Sequence, residues 1–138
     1  MKNAIICSFF VALIINVTTG CAGTGKTSDA NVIAIEYTRL IELLSDPKQE
    51  MVLVDVRPAV HYAPGHIPGA INIPITELRR ADPRLARAKH IVLYSHDVSD
   101  MLSRAACKKL LRYGYKNVFN FQGGLQMWKN LHQPQETE

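Results

Sequence analysis

Apolar and polar positions alternate along most of the chain in a pattern typical of strands and helices that follow one another. Short apolar runs predict five strands, at residues 32–35, 51–56, 71–73, 90–94 and 117–121. The runs at 51–56 and 90–94 contain almost no polar residue, which indicates strands buried on both faces. Residues 36–45 carry apolar side chains at helical spacing, and another helix is predicted around Trp128. This alternation predicts an α/β domain built on a parallel sheet.

A long polar connection, residues 76–89, separates the third and fourth strands and is predicted to be helical or irregular because Pro83 interrupts it. It carries a basic run that we expect to be solvated surface, formed by Arg79, Arg80, Arg84, Arg87 and Lys89. The chain of 138 residues has a net charge of +4. Aromatic residues do not alternate with its cations as they do in many nucleic-acid binders, so no nucleic-acid partner is expected.

The N-terminus carries an apolar stretch, residues 4–17, that follows Lys2 and contains one polar residue, Asn16. As a helix it would reach about 20 Å, short of the roughly 30 Å hydrocarbon core of a bilayer. We therefore predict a signal peptide over residues 1–20 and export from the cytoplasm. Residues 21–138 contain 15 basic and 12 acidic residues, so removal of residues 1–20 lowers the net charge to +3.

A cysteine follows this stretch in the order Thr18-Thr19-Gly20-Cys21, which resembles the lipobox of bacterial lipoproteins. The resemblance implies acylation of Cys21 and a lipid anchor at the bacterial cell envelope, with the domain outside the cytoplasm. Cleavage after Ala22 without lipid is the alternative. The predicted organisation is a linker over 21–31, the folded domain over 32–133 and a polar tail over 134–138.

Residues 20–27 read GCAGTGKT and satisfy the phosphate-binding pattern GxxxxGK[ST]. A phosphate-binding loop of this kind follows a core strand and opens a helix, whereas here a signal peptide precedes it and a small polar linker follows. The context therefore argues against nucleotide hydrolysis.

Two motifs in the predicted domain together resemble the rhodanese family. The first comprises Val54-Asp55-Val56-Arg57, Tyr62 and Gly65-His66-Ile67-Pro68-Gly69-Ala70, and the second comprises Gly114-Tyr115-Lys116-Asn117-Val118, Gly123-Gly124 and Trp128. The resemblance implies a rhodanese-like fold, with a five-stranded, mainly parallel sheet and helices on both faces. It also implies an active loop after the fourth strand, at residues 95–102, where open α/β sheets commonly bind ligands.

The resemblance places Ser95 at the position of the family's catalytic cysteine, whose thiolate accepts a sulfane sulfur. A serine hydroxyl does not ionise near neutral pH and cannot form a persulfide, so Ser95 is predicted to be inactive. The active loop then contains His96, Asp97, Val98, Ser99, Asp100, Met101 and Leu102. It is longer than in typical sulfurtransferases, and the family's loop-closing arginine falls at Leu102, with Arg104 the nearest substitute. Asp97 and Asp100 would repel an anionic sulfur donor.

Three residues of the first motif are expected to support this loop rather than to react. Asp55 and Arg57 stand at the carboxyl end of a strand, where such a pair can brace neighbouring loops, and His66 is expected to position a turn by hydrogen bonding. The family commonly has a glutamate at the position of His61, so one brace of this region is expected to differ.

The residue types of the loop also suggest a hydrolase triad or a metal site, and Cys107 provides a thiol in the predicted domain. Ser95, His96 and Asp97 have the residue types of a hydrolase triad, but consecutive side chains cannot form that relay. His96, Asp97 and Asp100 have the residue types of a metal site, but three such residues on one polar loop usually mean only a solvated loop. Cys107 lies within the helix after the loop, at the edge of an apolar stripe, and is expected to be buried.

The sequence therefore predicts a non-catalytic rhodanese-like binding module at the cell envelope, with an unknown protein or small ligand bound at the active loop. We expect a monomer with no cofactor and no metal. The alternative is a sulfurtransferase-type enzyme that transfers sulfur from thiosulfate or a persulfide through another thiol or an altered loop.

Overall fold

The computed structural model describes residues 31–138. Its strands are β1 (Ile33–Ile35), β2 (Met51–Asp55), β3 (Ile71–Asn72), β4 (His90–Tyr94) and β5 (Val118–Phe121). Its helices are α1 (Tyr37–Ser45), the one-turn α2 (Ala59–Tyr62), α3 (Leu102–Arg112) and α4 (Gly124–Asn130). The five strands lie where the apolar runs predicted them, to within one or two residues at their ends.

All five strands pair in parallel, in the order β1-β5-β4-β2-β3. β4 is central: it aligns Leu93 with Val54 of β2 on one side and with Asn120 of β5 on the other. The predicted five-stranded parallel sheet is confirmed. Because the strands run the same way, their carboxyl ends meet at one edge, which we call the carboxyl edge, and their amino ends meet at the opposite, amino edge.

Each face of the sheet is covered by its own apolar cluster, which confirms helices on both faces. Beneath α3 and the 76–89 connection lie Val54, Val56, Ile73, Leu78, Leu85, Ile91, Leu93, Ala106, Cys107, Leu110 and Val118. Beneath α1 and α4 lie Ile35, Leu40, Leu43, Leu53, Ile67, Ala70, Val92, Tyr94, Phe121, Leu125 and Trp128. The apolar runs of β2 and β4 contribute to both clusters, which explains why they lack polar alternation.

The 76–89 connection contains a single short 3-10 turn, Pro83–Leu85, and is otherwise irregular. Asp82 precedes this turn with a fully buried side chain, which accepts hydrogen bonds from the backbone and the guanidinium of Arg84. The Tyr115 hydroxyl accepts a hydrogen bond from the Asp82 backbone N–H at 2.7 Å. Such contacts anchor a connection that has little regular backbone pairing of its own.

The last residue of the predicted active loop, Leu102, is also the first residue of α3. Asp100 Oδ1 accepts a hydrogen bond from the Leu102 backbone N–H at 2.9 Å, which satisfies one of the free amides of the first helical turn. The loop between β4 and α3 therefore comprises residues 95–101.

Residues 134–138, set apart in the sequence as a polar tail, contact the domain. Glu136 forms an antiparallel bridge with His66, with backbone hydrogen bonds of 3.0 and 3.1 Å. The Glu138 N–H donates to the Ala63 carbonyl at 3.0 Å, and the Pro134 carbonyl accepts from the indole of Trp128 at 2.6 Å. The predicted signal peptide and Cys21 lie outside the described residues. Within residues 31–138, no helix has the length and apolar character needed to cross a membrane.

Candidate functional site

Ser95 follows β4 at the carboxyl edge, where the central strand ends and the active loop begins. Only 1% of its surface is exposed. Its hydroxyl donates toward the Ser103 hydroxyl at 3.2 Å and lies 3.4 Å from the Asp100 carbonyl oxygen. Ser103 is itself buried in the first turn of α3. Contacts with Asp100 of the loop and Ser103 of α3 thus hold the Ser95 side chain inside the loop.

The carboxylate of Asp100 crosses the active loop and binds backbone amides at both of its ends. Oδ2 accepts from the His96 N–H at 3.2 Å, and Oδ1 accepts from the Leu102 N–H at 2.9 Å. Backbone amides at a loop that opens a helix form a common site for anions. In this chain two of those amides already bind the loop's own carboxylate.

Asp97 makes its contacts within the turn that follows it. Its Oδ1 accepts from the Ser99 N–H at 2.8 Å, from the Ser99 hydroxyl at 2.6 Å and from the Asp100 N–H at 3.1 Å. These bonds to Ser99, chiefly that from its hydroxyl, lower the pKa of Asp97. The apolar residues of the loop point outward, with Val98 62% and Met101 56% exposed. The loop therefore has an internally bonded polar frame and exposes two apolar side chains, those of Val98 and Met101.

The start of α4 supports the active loop from the side of β5. The Leu125 N–H donates to the Ser95 carbonyl at 3.0 Å, and the Gln126 N–H donates to the His96 carbonyl at 2.8 Å. Gly124 has a φ of +60°, and a Cβ at this position would lie 2.7 Å from both carbonyl oxygens. The second glycine of the Gly123-Gly124 pair is required because only a residue without a side chain lets the two backbones approach this closely.

Asp55 and Arg57 form a buried ion pair at the carboxyl end of β2. Arg57 Nε donates to Asp55 Oδ1 at 2.9 Å, and Arg57 Nη2 donates to the Gly65 carbonyl at 2.9 Å. Asn72 at the end of β3 donates to the backbone carbonyls of both residues, at 3.0 and 2.9 Å. The guanidinium therefore ties β2 to the turn that contains His66.

His66 is buried, with 3% of its surface exposed, and lies between the turn and the C-terminal segment. Its ring stacks on Tyr62 with a centroid distance of 3.8 Å, and Nδ1 lies 3.2 Å from the Tyr62 carbonyl. Its backbone pairs with Glu136, whose carboxylate also accepts from the Gly69 N–H at 2.9 Å. The structure places His66 in a turn-holding position and brings Glu136 to it. The sequence did not predict a role for Glu136, because its neighbours form an ordinary polar tail. Its contact with His66 is seen only in the folded structure.

An open cavity of about 430 Å³ lies beside the active loop. Its walls are Arg57, Pro58, His61, Pro64, His96, Asp100 and Leu102. A second cavity of about 300 Å³ shares Pro58 and Leu102 with the first and extends toward Ile75. Volumes of this size match small-molecule sites, which combine apolar walls with a few polar groups. The structure thus brings the loop and the segment after β2 together around one cavity.

The family of this chain is decided by a match over most of its length. Residues 36–131 match the family model described as a rhodanese-like domain. The chain belongs to the rhodanese-like domain family. The rhodanese fold therefore accounts for the sheet order and for the loop at the carboxyl edge.

Relatives of this rhodanese-like domain include enzymes and a regulator. A sulfurtransferase of Allochromatium vinosum is 30% identical over 94 residues, which cover 68% of this chain and 85% of that protein. The HTH-type transcriptional regulator Rv0324 of Mycobacterium tuberculosis is 38% identical over 80 residues, which cover 58% of this chain and 35% of the regulator. A rhodanese-related protein of Thermoplasma volcanium has a similar structure, with a TM-score of 0.63 and 29% identity over 77% of this chain and 99% of that chain.

Cys107 is the cysteine of the rhodanese-like domain, and it is fully buried, as predicted. Its Sγ lies 3.5 Å from the Phe119 carbonyl, beneath α3. Burial raises the pKa of this thiol to about 12. Because the thiolate is the reactive form, Cys107 is protonated and unreactive near neutral pH.

The loop residues of the described structure form neither a hydrolase triad nor a metal site. The Ser95 hydroxyl bonds to Ser103 and Asp100, and His96 Nε2 lies 3.8 Å from Asp97 Oδ2, so no relay runs from Ser95 through His96. Within residues 31–138, no group of three histidine, cysteine or acidic side chains could hold a metal ion.

Proposed function

We propose that this chain is a non-catalytic rhodanese-like binding module at the cell envelope, which binds a protein or a small ligand at its active loop. The observation that carries the proposal is the position of the Asp100 carboxylate on the amides of His96 and Leu102. Those amides stand at the loop that opens α3, where an anion would otherwise bind. The loop carries its own anion in that place.

The chemistry of Ser95 supports the same proposal. A sulfur carrier needs a thiolate to attack a sulfane sulfur and to hold it as a persulfide, and a hydroxyl can do neither. The carboxylate of Asp100 would also repel an anionic donor, by up to about 4 kcal/mol for charges 4 Å apart at an effective dielectric constant near 20. The acceptor atom is thus missing and the donor is repelled.

Binding at the loop is supported by the surface around it. The cavity of about 430 Å³ is open and is bounded by the apolar side chains of Pro58, Pro64 and Leu102. The exposed side chains of Val98 and Met101 lie on the same loop as His96 and Asp100, which line the cavity. Exposed apolar residues next to a cavity are a common feature of binding surfaces.

The envelope location rests on the N-terminal sequence. The stretch over residues 4–17 is too short for a typical transmembrane helix, and Cys21 follows it in a lipobox-like context. Export would place the domain outside the cytoplasm, and acylation of Cys21 would keep it at the membrane.

A sulfurtransferase is the alternative function, and the name of the Allochromatium vinosum relative supports it. It requires a reactive thiol in this chain or in a partner. Cys107 is a poor candidate, because it is fully buried and burial raises its pKa to about 12. We therefore prefer the binding function.

The two functions differ in a thiosulfate:cyanide sulfurtransferase assay of the full-length protein. We expect no thiocyanate formation above that of a Cys107→Ser control. We also expect Cys107 of the folded protein to resist alkylation up to about pH 9 and to react after unfolding, because its high folded pKa keeps the thiol protonated through that range. Turnover clearly above the control, or a sulfane sulfur trapped on Cys107, would favour the enzyme.

A further inference from the structure

Exposed cations collect at the amino edge of the sheet, opposite the active loop. They come from the 76–89 connection, from the end of α3 and from the turn before β5. We call this surface the basic edge, and it comprises Arg79, Arg80, Arg84, Arg87, Lys89, Arg112 and Lys116. In the sequence, the five members from the connection are spread over residues 79–89 and do not indicate a binding surface.

Tertiary contacts bring the two segments of the basic edge together. The Arg80 guanidinium lies 5.8 Å from the centroid of the Tyr113 ring, which follows α3. The Tyr115 hydroxyl lies 3.4 Å from the Arg79 carbonyl. The Lys89 carbonyl, directly before β4, accepts from the Asn117 side chain directly before β5 at 3.1 Å. Cations that are more than twenty residues apart in sequence therefore share one edge.

Acidic side chains neutralise part of this surface. Lys89 pairs with Glu50 at 3.1 Å, and the buried carboxylate of Asp82 lies 2.8 Å from Arg84 and 3.7 Å from Arg79. Arg84 also lies 3.7 Å from Glu77. Within residues 31–138, no ion pair is formed by the other four cations of the basic edge, Arg80, Arg87, Arg112 and Lys116. The basic edge therefore retains unpaired positive charge.

The basic edge lies on the side of the sheet where the chain enters the domain, and the active loop lies on the opposite side. β1 runs parallel to β4 through β5, so its first residue, Ile33, lies at the amino edge. The chain that leads from Cys21 thus enters the domain there. Ser95 lies at the carboxyl edge, directly after the five residues of β4. At 3.3 Å per residue, it is about 16 Å from the start of β4 at the amino edge.

We propose that the basic edge docks on a bilayer surface that contains anionic phospholipid and so points the active loop away from the membrane. The inference rests on the proposed envelope location. A membrane is favoured over other polyanions because the predicted lipid anchor precedes this edge in the chain. Basic residues near a membrane surface are attracted to anionic phospholipid, and this attraction would orient a domain that a lipid anchor already holds there.

The test is lysine footprinting of the full-length protein with Cys21→Ser, bound to vesicles through its apolar N-terminal stretch. Phosphatidylcholine vesicles are compared with vesicles that also contain about 30% phosphatidylglycerol, and acylation of each lysine is followed by mass spectrometry. We expect Lys116 to react at least about threefold more slowly on the anionic vesicles, with protection lost in about 1 M salt, where the Debye length is about 3 Å. Lys129 on α4 should react equally on both.

Matched variants assign the effect to the basic edge. The double substitution Arg87→Gln and Arg112→Gln should remove most of the protection of Lys116. The control pair Arg39→Gln and Lys129→Gln, which also removes two exposed cations, should leave it intact. Equal reactivity of Lys116 on both kinds of vesicle would overturn the docking proposal, as would protection by duplex DNA but not by anionic vesicles. The lipid mass on Cys21 is a separate measurement, so failure of the docking proposal can be told from failure of the envelope location.

Discussion

At the scale of single residues, the Asp100 carboxylate binds the backbone amides at both ends of the active loop. Its two carboxylate oxygens accept hydrogen bonds from the amides of His96 and Leu102, and its carbonyl oxygen lies 3.4 Å from the Ser95 hydroxyl. A charged acceptor on backbone amides typically contributes about 1.5–3 kcal/mol. An incoming anion would have to displace this internal contact as well as overcome the charge.

We therefore expect Ser95→Cys alone to give little thiosulfate:cyanide sulfurtransferase activity. The new thiol would lie in the loop whose two end amides the Asp100 carboxylate binds, and a nearby negative charge disfavours the thiolate and raises its pKa. Addition of Asp97→Asn and Asp100→Asn should raise the activity of the cysteine variant about tenfold or more, since one unit of thiol pKa is a tenfold change in thiolate.

The two aspartate substitutions without Ser95→Cys are the control for this prediction, and they should give no activity. Thiocyanate formation is the measurement, with circular dichroism to verify folding of each variant. Near-complete activity of Ser95→Cys alone would mean that the Asp100 carboxylate does not block the loop.

At the scale of elements, the active loop depends on α4 as much as on its own turn. The first turn of α4 donates two amides to the carbonyls of Ser95 and His96, and the close approach requires Gly124. The loop is thus held between β4, α3 and α4. This support was only partly visible in the sequence, where Gly123-Gly124 indicated a turn but not its contact.

We expect Gly124→Ala to lower the free energy of unfolding by about 2–5 kcal/mol, from the cost of a positive φ and from the clash with the loop backbone. Gly114→Ala is a matched control: its φ is also positive, +93°, but a Cβ there would meet nothing within 4 Å. It should cost only about 1–2 kcal/mol. Urea unfolding of the two variants measures the difference, and equal losses would show that the contact with Ser95 and His96 carries no energy.

At the scale of the whole molecule, the parallel sheet separates the two proposed binding surfaces. The carboxyl edge carries the active loop and its cavity, and the amino edge carries the basic edge and the entry of the chain into the domain. A module held at one edge would present the other to its ligand.

The envelope location predicts that the mature protein partitions into detergent and carries the mass of a lipid on Cys21. Cys21→Ser should abolish both, because the Cys21 thiol is the proposed site of acylation. Intact-mass spectrometry of the membrane fraction is the measurement. Recovery of an unmodified chain that begins after Ala22 would favour ordinary secretion.

The secondary-structure elements and the family could be predicted from the sequence alone. Uninterrupted apolar runs predicted β2 and β4, the motifs around Asp55 and Gly65 indicated the rhodanese fold, and helical spacing placed Cys107 in the core. These features depend on local periodicity and on turns that short segments specify alone. The position of Ser95 after the central strand followed from them.

Contacts between groups that are distant in sequence could be seen only in the tertiary structure. It set Glu136 against His66, placed the amides of α4 on the active loop and joined the cations of the 76–89 connection to those after α3. It also showed that Asp100 turns inward onto backbone amides, where the sequence predicted only repulsion of a donor. Such contacts depend on how the faces of the sheet are covered and on the direction of each side chain, and no local pattern encodes either of these.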